Sequence, residues 1–454
     1  MSYSNSVIVH EIEPVYYAAN QRAEFRLPPD KIYSSNLILS NLGLTKTANQ
    51  SPYHQVPGVY GICKSISLFD GNVELTSLQN SHLWAGFKQL QHSNQYNESV
   101  GPYYSGNLLS NAFETRDLSA NSSGAGAACA VTGARIVRGT IRTMKTAVTG
   151  EDAYKGQMKM AEIVDLLANM PYIDTSVFKK FRVVIEFHSS SDLMVFAQAL
   201  EKTNVGSITT TRPFLIAEEM TGQAVDAMMG KMQPIEYTVI EQDMASLDAI
   251  VPTAGASATD NTRTPLQPKT FHISGYNNKT VEKLLIWKQP TLKSNYQIDS
   301  DNNGRDIGWG VYSSMAFLGE KVQIRVNGRN IWARSGIDRP NSRLAYMADS
   351  WGDSSISTFL NGMTFQAADG APRNLNWKVD GNGDCGTQDF IGIDLGLEKV
   401  QDLQIDFERL GFFCENDAQT LLSKYNSAYN LRIFAEVRKA IVPQANGGYN
   451  VIYV

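Results

Sequence analysis

Cysteine is scarce and scattered. Cys63, Cys129, Cys385 and Cys414 are the only four in 454 residues, and no two form a C-x-x-C pair. Such spacing suits neither a zinc ribbon nor a disulfide framework, and free thiols are the expectation. The six histidines, His10, His54, His82, His92, His188 and His272, include no two that lie two or four apart. Without clustered imidazoles a metal-dependent sandwich enzyme of the H-x-H type is excluded. A dominant charge is missing too: 40 Lys and Arg against 45 Asp and Glu leave a net charge of −5, with no basic arm to wrap nucleic acid. No window approaches eighteen apolar residues, so no membrane-spanning helix is predicted. The opening MSYSNSVIVHEIEP has no basic stretch followed by an apolar core, which predicts no secretion signal. G-x-S-x-G, H-E-x-x-H and Walker A patterns are all absent.

What is abundant is small and polar. Charged residues make up only 19% of the chain, and Asn, Ser, Thr, Gly and Gln, the residues of turns and long loops, fill the space. Two loops resemble ligand motifs in part. GNGDCG at 381–386 matches G-x-G-x-x-G, but the following TQDFIGIDLGL reads as a strand, whereas a dinucleotide site needs a helix there. DSDNNG at 299–304 offers Asp299, Asp301 and Asn303 as calcium ligands and Gly304 for the turn. Position twelve is Gly310 where a bidentate Glu is required, so a solvated loop tip is the plainer reading. No catalytic residue, cofactor site or complete metal site is predicted.

A passage recurs. VVIEF at 183–187 returns as LQIDF at 403–407, offset by 220 residues, and both alternate apolar with other residues as a half-buried strand does. About thirty residues after each comes an apolar-Ala-Glu step: Ile216-Ala217-Glu218, then Phe434-Ala435-Glu436, offset by 218. A period this long is that of a duplicated domain, not of a solenoid. The expected division is 1–225 and 226–454, with 221–234 as the linker.

Strand signals dominate both halves. RAEFRL (22–27), NLILSNL (36–42), and GICKSISLFDGNVELTSL (61–78) as a hairpin about Asp70-Gly71 lead the first. GARIVRGTIRTMK (133–145) is also strand-like. EYTVIEQ (236–242), KTFHISGY (269–276), VEKLLIWK (281–288), a hairpin in KVQIRVNGRNIW (321–332) with Asn327-Gly328 at its tip, and two closing strands make up the second. Met160, Ile163, Val164, Leu167 and Met170 fall at helical spacing and predict a helix ending before Pro171. Further short helices are expected at 191–201, capped by Ser190, Ser191 or Asp192, and at 341–350. Many strands, long loops and few helices predict an all-β chain of sandwiches.

Taken in order, KSISLFDGN (64–72), FRVVIEF (181–187), TRPFLIAEE (212–219), EKVQIRVNGRNI (320–331), RLAYMADSWGD (343–353), FAEVRK (434–439) and GGYNVIYV (447–454) resemble the double jelly-roll, hexon-like major capsid proteins of eukaryotic double-stranded DNA viruses. The polinton-like virus, adintovirus and virophage type is the nearest. The likeness runs end to end, although no single motif carries it and the loops 91–130, 242–268 and 355–388 are left unmapped. It implies two tandem eight-stranded jelly-roll sandwiches with a few short helices between strands. It also implies a homotrimer forming a pseudo-hexameric capsomer, and an icosahedral virion shell as the location. The partners it implies are further copies, penton and minor or cement capsid proteins, and a host receptor at outer loops. Sequence-specific nucleic acid is not among them. The alternatives in view are a carbohydrate-binding or lectin-like sandwich, with calcium at Asp299 and Asp301, and a minor capsid or spike protein. A duplicated chain argues against the last.

Overall fold

The computed structural model describes residues 6–46, 57–92, 96, 101–105, 155–190, 192–193, 208–249, 262–265, 268–291, 314, 320–332, 336–338, 340–352, 364–366, 372–374, 390–413, 428–444 and 448–454. Among the described residues twelve strands come from the first half: β1 (Ser6–Ile12), β2 (Tyr16–Ala18), β3 (Arg22–Arg26), β4 (Ile32–Tyr33), β5 (Ile38–Lys46), β6 (Cys63–Asp70), β7 (Val73–Gln79), β8 (Lys155–Lys159), β9 (Ile173–Asp174), β10 (Phe181–Phe187), β11 (Ile208–Thr210) and β12 (Phe214–Thr221). They form two antiparallel sheets. One runs β11-β5-β12-β4-β9, with β1 added on β12 and β8 on β5; the other runs β2-β3-β10-β6-β7.

The second half contributes β13 (Ile235–Leu247), β14 (Thr262–Pro265), β15 (Lys269–His272), β16 (Thr280–Pro290), β17 (Lys321–Val326), β18 (Arg329–Asn330), β19 (Thr364–Gln366), β20 (Pro372–Asn374), β21 (Ile391–Lys399), β22 (Leu403–Glu408), β23 (Leu410–Phe413), β24 (Tyr429–Pro443) and β25 (Tyr449–Tyr453). Its main sheets are β13-β24-β16-β21, with β25 on β24, and β15-β22-β17-β18. Among the described residues, every strand up to Thr221 pairs within the first set and every strand from Ile235 within the second.

The recurring passages fall on corresponding strands. β10 lies between β3 and β6, and β22 lies between β15 and β17. Ile185 faces Ala23 and Ile66 across its two ladders, and Ile405 faces Phe271 and Ile324. Val183, Ile185, Leu403, Ile405 and Phe407 are all fully buried. β12 and β24 likewise carry an outermost strand on one side, β1 and β13 respectively. The period-two pattern therefore marks strands whose inner face builds a sandwich core.

Both predicted hairpins form. In the first, Asp70 pairs with Val73, so the two-residue loop is Gly71-Asn72, one residue later than the expected centre, with Gly71 at φ +58. In the second, Val326 pairs with Arg329 around Asn327 (φ 52) and Gly328 (φ 76), the double positive φ of a type I′ turn. β13, β15, β16, β24 and β25 cover the other strands expected in the second half, and a helix spans Pro340–Trp351. A single turn of helix, Gln223–Asp226, occupies the expected linker.

The helix expected to end before Pro171 does not form as one piece. Lys155–Lys159 is strand β8 on β5, Met160–Glu162 is a 3-10 turn, and only Asp165–Asn169 is α-helical. All five apolar residues of the pattern are buried. The segment winds along the core edge, and a short apolar spacing of three and four does not distinguish that path from a helix. The helix expected at 191–201 and the strand-like 133–145 lie largely or wholly outside the described residues. At the start of the former, the Ser189 hydroxyl, not the three candidates named, accepts the Asp192 N–H at 3.2 Å.

Candidate assembly surfaces

Three helices and a strand edge meet where the halves join among the described residues. We call Ser81–Gln91 α1, Asp165–Asn169 α2 and Pro340–Trp351 α3. α1 follows the first hairpin, and its residues 81–87 are all buried. Trp84 stacks on Phe87 at 5.3 Å and on Phe434 of β24 at 6.1 Å, and meets Trp351 of α3 edge-on at 5.7 Å. Phe87 meets the same Trp351 at 5.7 Å, and the Gln91 amide donates to the Trp351 carbonyl. An aromatic cluster thus closes the seam with large apolar area and preferred edge and offset geometries.

Polar bonds fix the register along that seam. The Asp165 carboxylate accepts from the Thr238 N–H at 2.8 Å and from the Thr238 hydroxyl at 2.7 Å. Asn80 donates to the Gln242 side chain at 2.9 Å, and Gln242 donates to the Gln79 carbonyl. The Tyr237 hydroxyl donates to the Leu75 carbonyl at 2.5 Å, and Tyr449 donates to Asp70 at 2.8 Å. On the outer edge of β13 the Thr238 N–H is satisfied by the first half, and side-chain bonds hold the rest of the strand against it.

A cavity of ≈ 130 Å³ sits in this seam, lined among others by Trp84, Lys88, Glu162, Asp165, Ile240 and Glu436. Burial lowers the Lys88 ammonium below its usual range, against the pull of Glu436 and Asp165. Burial raises the Glu436 carboxyl, opposed by Lys283 and Lys88, and raises Glu162, opposed by Lys159. Lys283 and Glu436 lie 3.7 Å apart. Titratable and apolar side chains share its wall, a setting for water between two sandwiches.

The second half holds a further ionic centre. Lys288 of β16 reaches both oxygens of Glu320 at 2.7 and 2.8 Å, and Arg343 of α3 approaches Glu320 at 3.4 Å. Lys288 and Glu320 are 0% exposed. The triad ties α3 to the sandwich beneath it.

Asp299, Asp301 and Asn303, the partial calcium loop, lie outside the described residues, as does GNGDCG. Among the described residues no three His, Cys, Asp or Glu side chains cluster as metal ligands would. The sequence separates His82 and His188 widely, but the fold sets their rings 4.3 Å apart, edge to face and buried. Burial above all, then His188 and Arg432, holds His82 far below its ordinary value, so the ring is neutral. Cys63 is free and buried, and burial pushes its thiol up to about 12, leaving it inert. No described helix is long and apolar enough to cross a membrane.

No protein-family model matches the sequence, and no curated protein matches it either. Solved structures do match the fold. The crystal structure of PBCV-1 VP54, fitted into a cryo-EM reconstruction of the virophage Sputnik, aligns over 100% of this chain and 98% of its own, at 7% identity and a TM-score of 0.55. The quasi-atomic model of the PBCV-1 virus capsid aligns over the same shares at 8% identity and a TM-score of 0.50. The chain has the double jelly-roll fold, built as two tandem β-sandwiches.

Proposed function

We propose that the protein is a major capsid protein of a double-stranded DNA virus, which trimerises into a pseudo-hexameric capsomer and tiles an icosahedral shell. The observation that carries this reading is the full-length match of both sandwiches, in order, to the PBCV-1 coat protein as placed in capsid reconstructions. The duplication supports it independently. Two similar sandwiches per chain and three chains give six near-equivalent sides, which closed head-to-tail contacts satisfy. The role is structural, and we assign no catalytic, cofactor or metal-binding residue to it.

We place the division between the sandwiches at 225/226. What supports it is the one-turn helix Gln223–Asp226 lying between the last strand of the first set and Ile235. The protein's location is then the virion shell, after synthesis inside a host cell. Its partners are other copies of itself, penton and minor or cement proteins at the shell, and a host receptor at the outer loops.

The experiment is the solution mass of the purified chain by light scattering, with negative-stain images of the same fraction. The expected species has three times the 50.1 kDa chain mass and a hexagonal outline. A monomer at every concentration, with no such outline, would overturn the reading.

A further inference from the structure

α1 belongs to the first sandwich and lies along one face of β24 in the second. Arg432, Phe434 and Glu436 alternate along that strand, so their side chains share a face. His82, Trp84 and Lys88 of α1 answer them in the same order. The Arg432 charge acts on His82, and the Trp84 ring stacks on Phe434 at 6.1 Å. Glu436 acts on Lys88, and both line the seam cavity. The contact is apolar in its middle and titratable at both ends.

At the first end His82 is 4% exposed, and its ring meets that of His188, just past β10, edge-on at 4.3 Å. The groups that act on it are bases, His188 from the β10 side and Arg432 from β24, and no described carboxylate is among them. β6 presents the Cys63 carbonyl, which the Ser81 hydroxyl occupies at 2.8 Å. β16 presents Gln289, which holds the Arg432 guanidinium at 2.5 Å. A proton on His82 would set an imidazolium beside a second imidazole and a guanidinium, away from water and without a counter-charge.

At the other end the signs are mixed. Burial raises the Glu436 and Glu162 carboxyls, so acid favours the packed state there. Burial, then Lys88, lowers His92, which stacks on Tyr96 at 4.1 Å, and acid works against that contact.

We propose that α1 is an acid-sensitive clasp between the two sandwiches, in which protonation of His82 lifts the start of the helix off β24. The device belongs to the single chain and needs no second copy. Trp84 lies two residues further on, so its stack on Phe434 parts with that end, and the cavity it lines opens to solvent. Burial holds the packed His82 below 6.5, and release returns it towards that value. The closed clasp is therefore fully favoured above pH 6.5. Below it, the opening equilibrium grows by up to about tenfold per pH unit.

The test is amide hydrogen exchange of the full chain from pH 7 to pH 5, read by mass spectrometry in peptides of α1, β10 and β22. Each rate is divided by the intrinsic rate at that pH, and circular dichroism is the folding control. Across this range α1 should lose about tenfold of its protection, while β10 and β22 keep theirs. In His82→Gln, α1 should exchange alike at both pH values; in His92→Gln it should still open. Should His82→Gln fail to fold, Arg432→Gln decides: it should open less than the wild type, because its cation no longer opposes the proton. Unchanged α1 protection in the wild type overturns the proposal, as does opening that survives in folded His82→Gln or is undiminished in Arg432→Gln. Loss shared equally by β10 and β22 is global unfolding and overturns it too. Opening abolished by His92→Gln overturns the assignment to His82.

Discussion

Asp165 of the first sandwich accepts two hydrogen bonds from one residue of the second, the N–H and the hydroxyl of Thr238, at 2.8 and 2.7 Å. One carboxylate thereby satisfies an edge donor of β13 and orients the strand against α2. Replacing it by alanine leaves the Thr238 N–H without its partner at a covered edge. Asp165→Ala is expected to cost about 1–3 kcal/mol. Chemical denaturation reads the loss, and hydrogen exchange should quicken along β13 before it does in β10 or β22.

Trp84 joins α1, α3 and β24 through ring contacts with Phe87, Trp351 and Phe434. Trp84→Ala removes a buried ring at the junction of both sandwiches and leaves a void. A cost of about 3–5 kcal/mol is expected. Thermal melting would check it, and a splitting of the transition into two would show that the seam couples the halves.

The buried Glu320 faces both Lys288 and Arg343. Glu320→Ala takes a carboxylate from two buried cations, and a cost of about 3–5 kcal/mol is expected. Replacing Lys288 and Glu320 together by Met and Leu should cost less, because only Arg343 then loses its carboxylate partner. Denaturant midpoints of the single and double variants decide the point.

His82 and His92 give the chain a pH dependence. Burial holds His82 well below its ordinary value of 6.5, and burial followed by Lys88 holds His92 at about 4. Both rings stay neutral in the fold at pH values where they are protonated in the unfolded chain. The stability is fully present above pH 6.5 and is lost as pH falls through the interval between the unfolded and folded values. A His82→Leu variant should show a shallower decline in melting temperature between pH 6.5 and 5 than the wild type.

Alternation in the primary structure was enough to find the principal strands, since period two is a local consequence of one buried face. The N-G hairpin was equally legible, because positive φ at Asn327 and Gly328 restricts which residues can stand there. The stretch from Met160 to Met170 misled because burial alone sets its apolar spacing, and burial along a core edge mimics a helix face. Nothing local could announce the pairing of His82 with His188, or that Asp165 would serve Thr238 rather than solvent.

The sequence by itself determined the strand content, the turns and the duplication, all of which are written in neighbouring side chains or in passages that repeat. Only the tertiary structure decided which copy of the outermost strand is covered. Val9 and Ile240 are both apolar residues at the same place in a repeated design, yet one is 60% exposed and the other 8%. The difference comes from what packs beside them. β7 and α2 reach β13 from 162 and 73 residues away, at Leu75 with Tyr237 and at Asp165 with Thr238, and contacts at that separation follow from how the sandwiches dock, which no local pattern encodes.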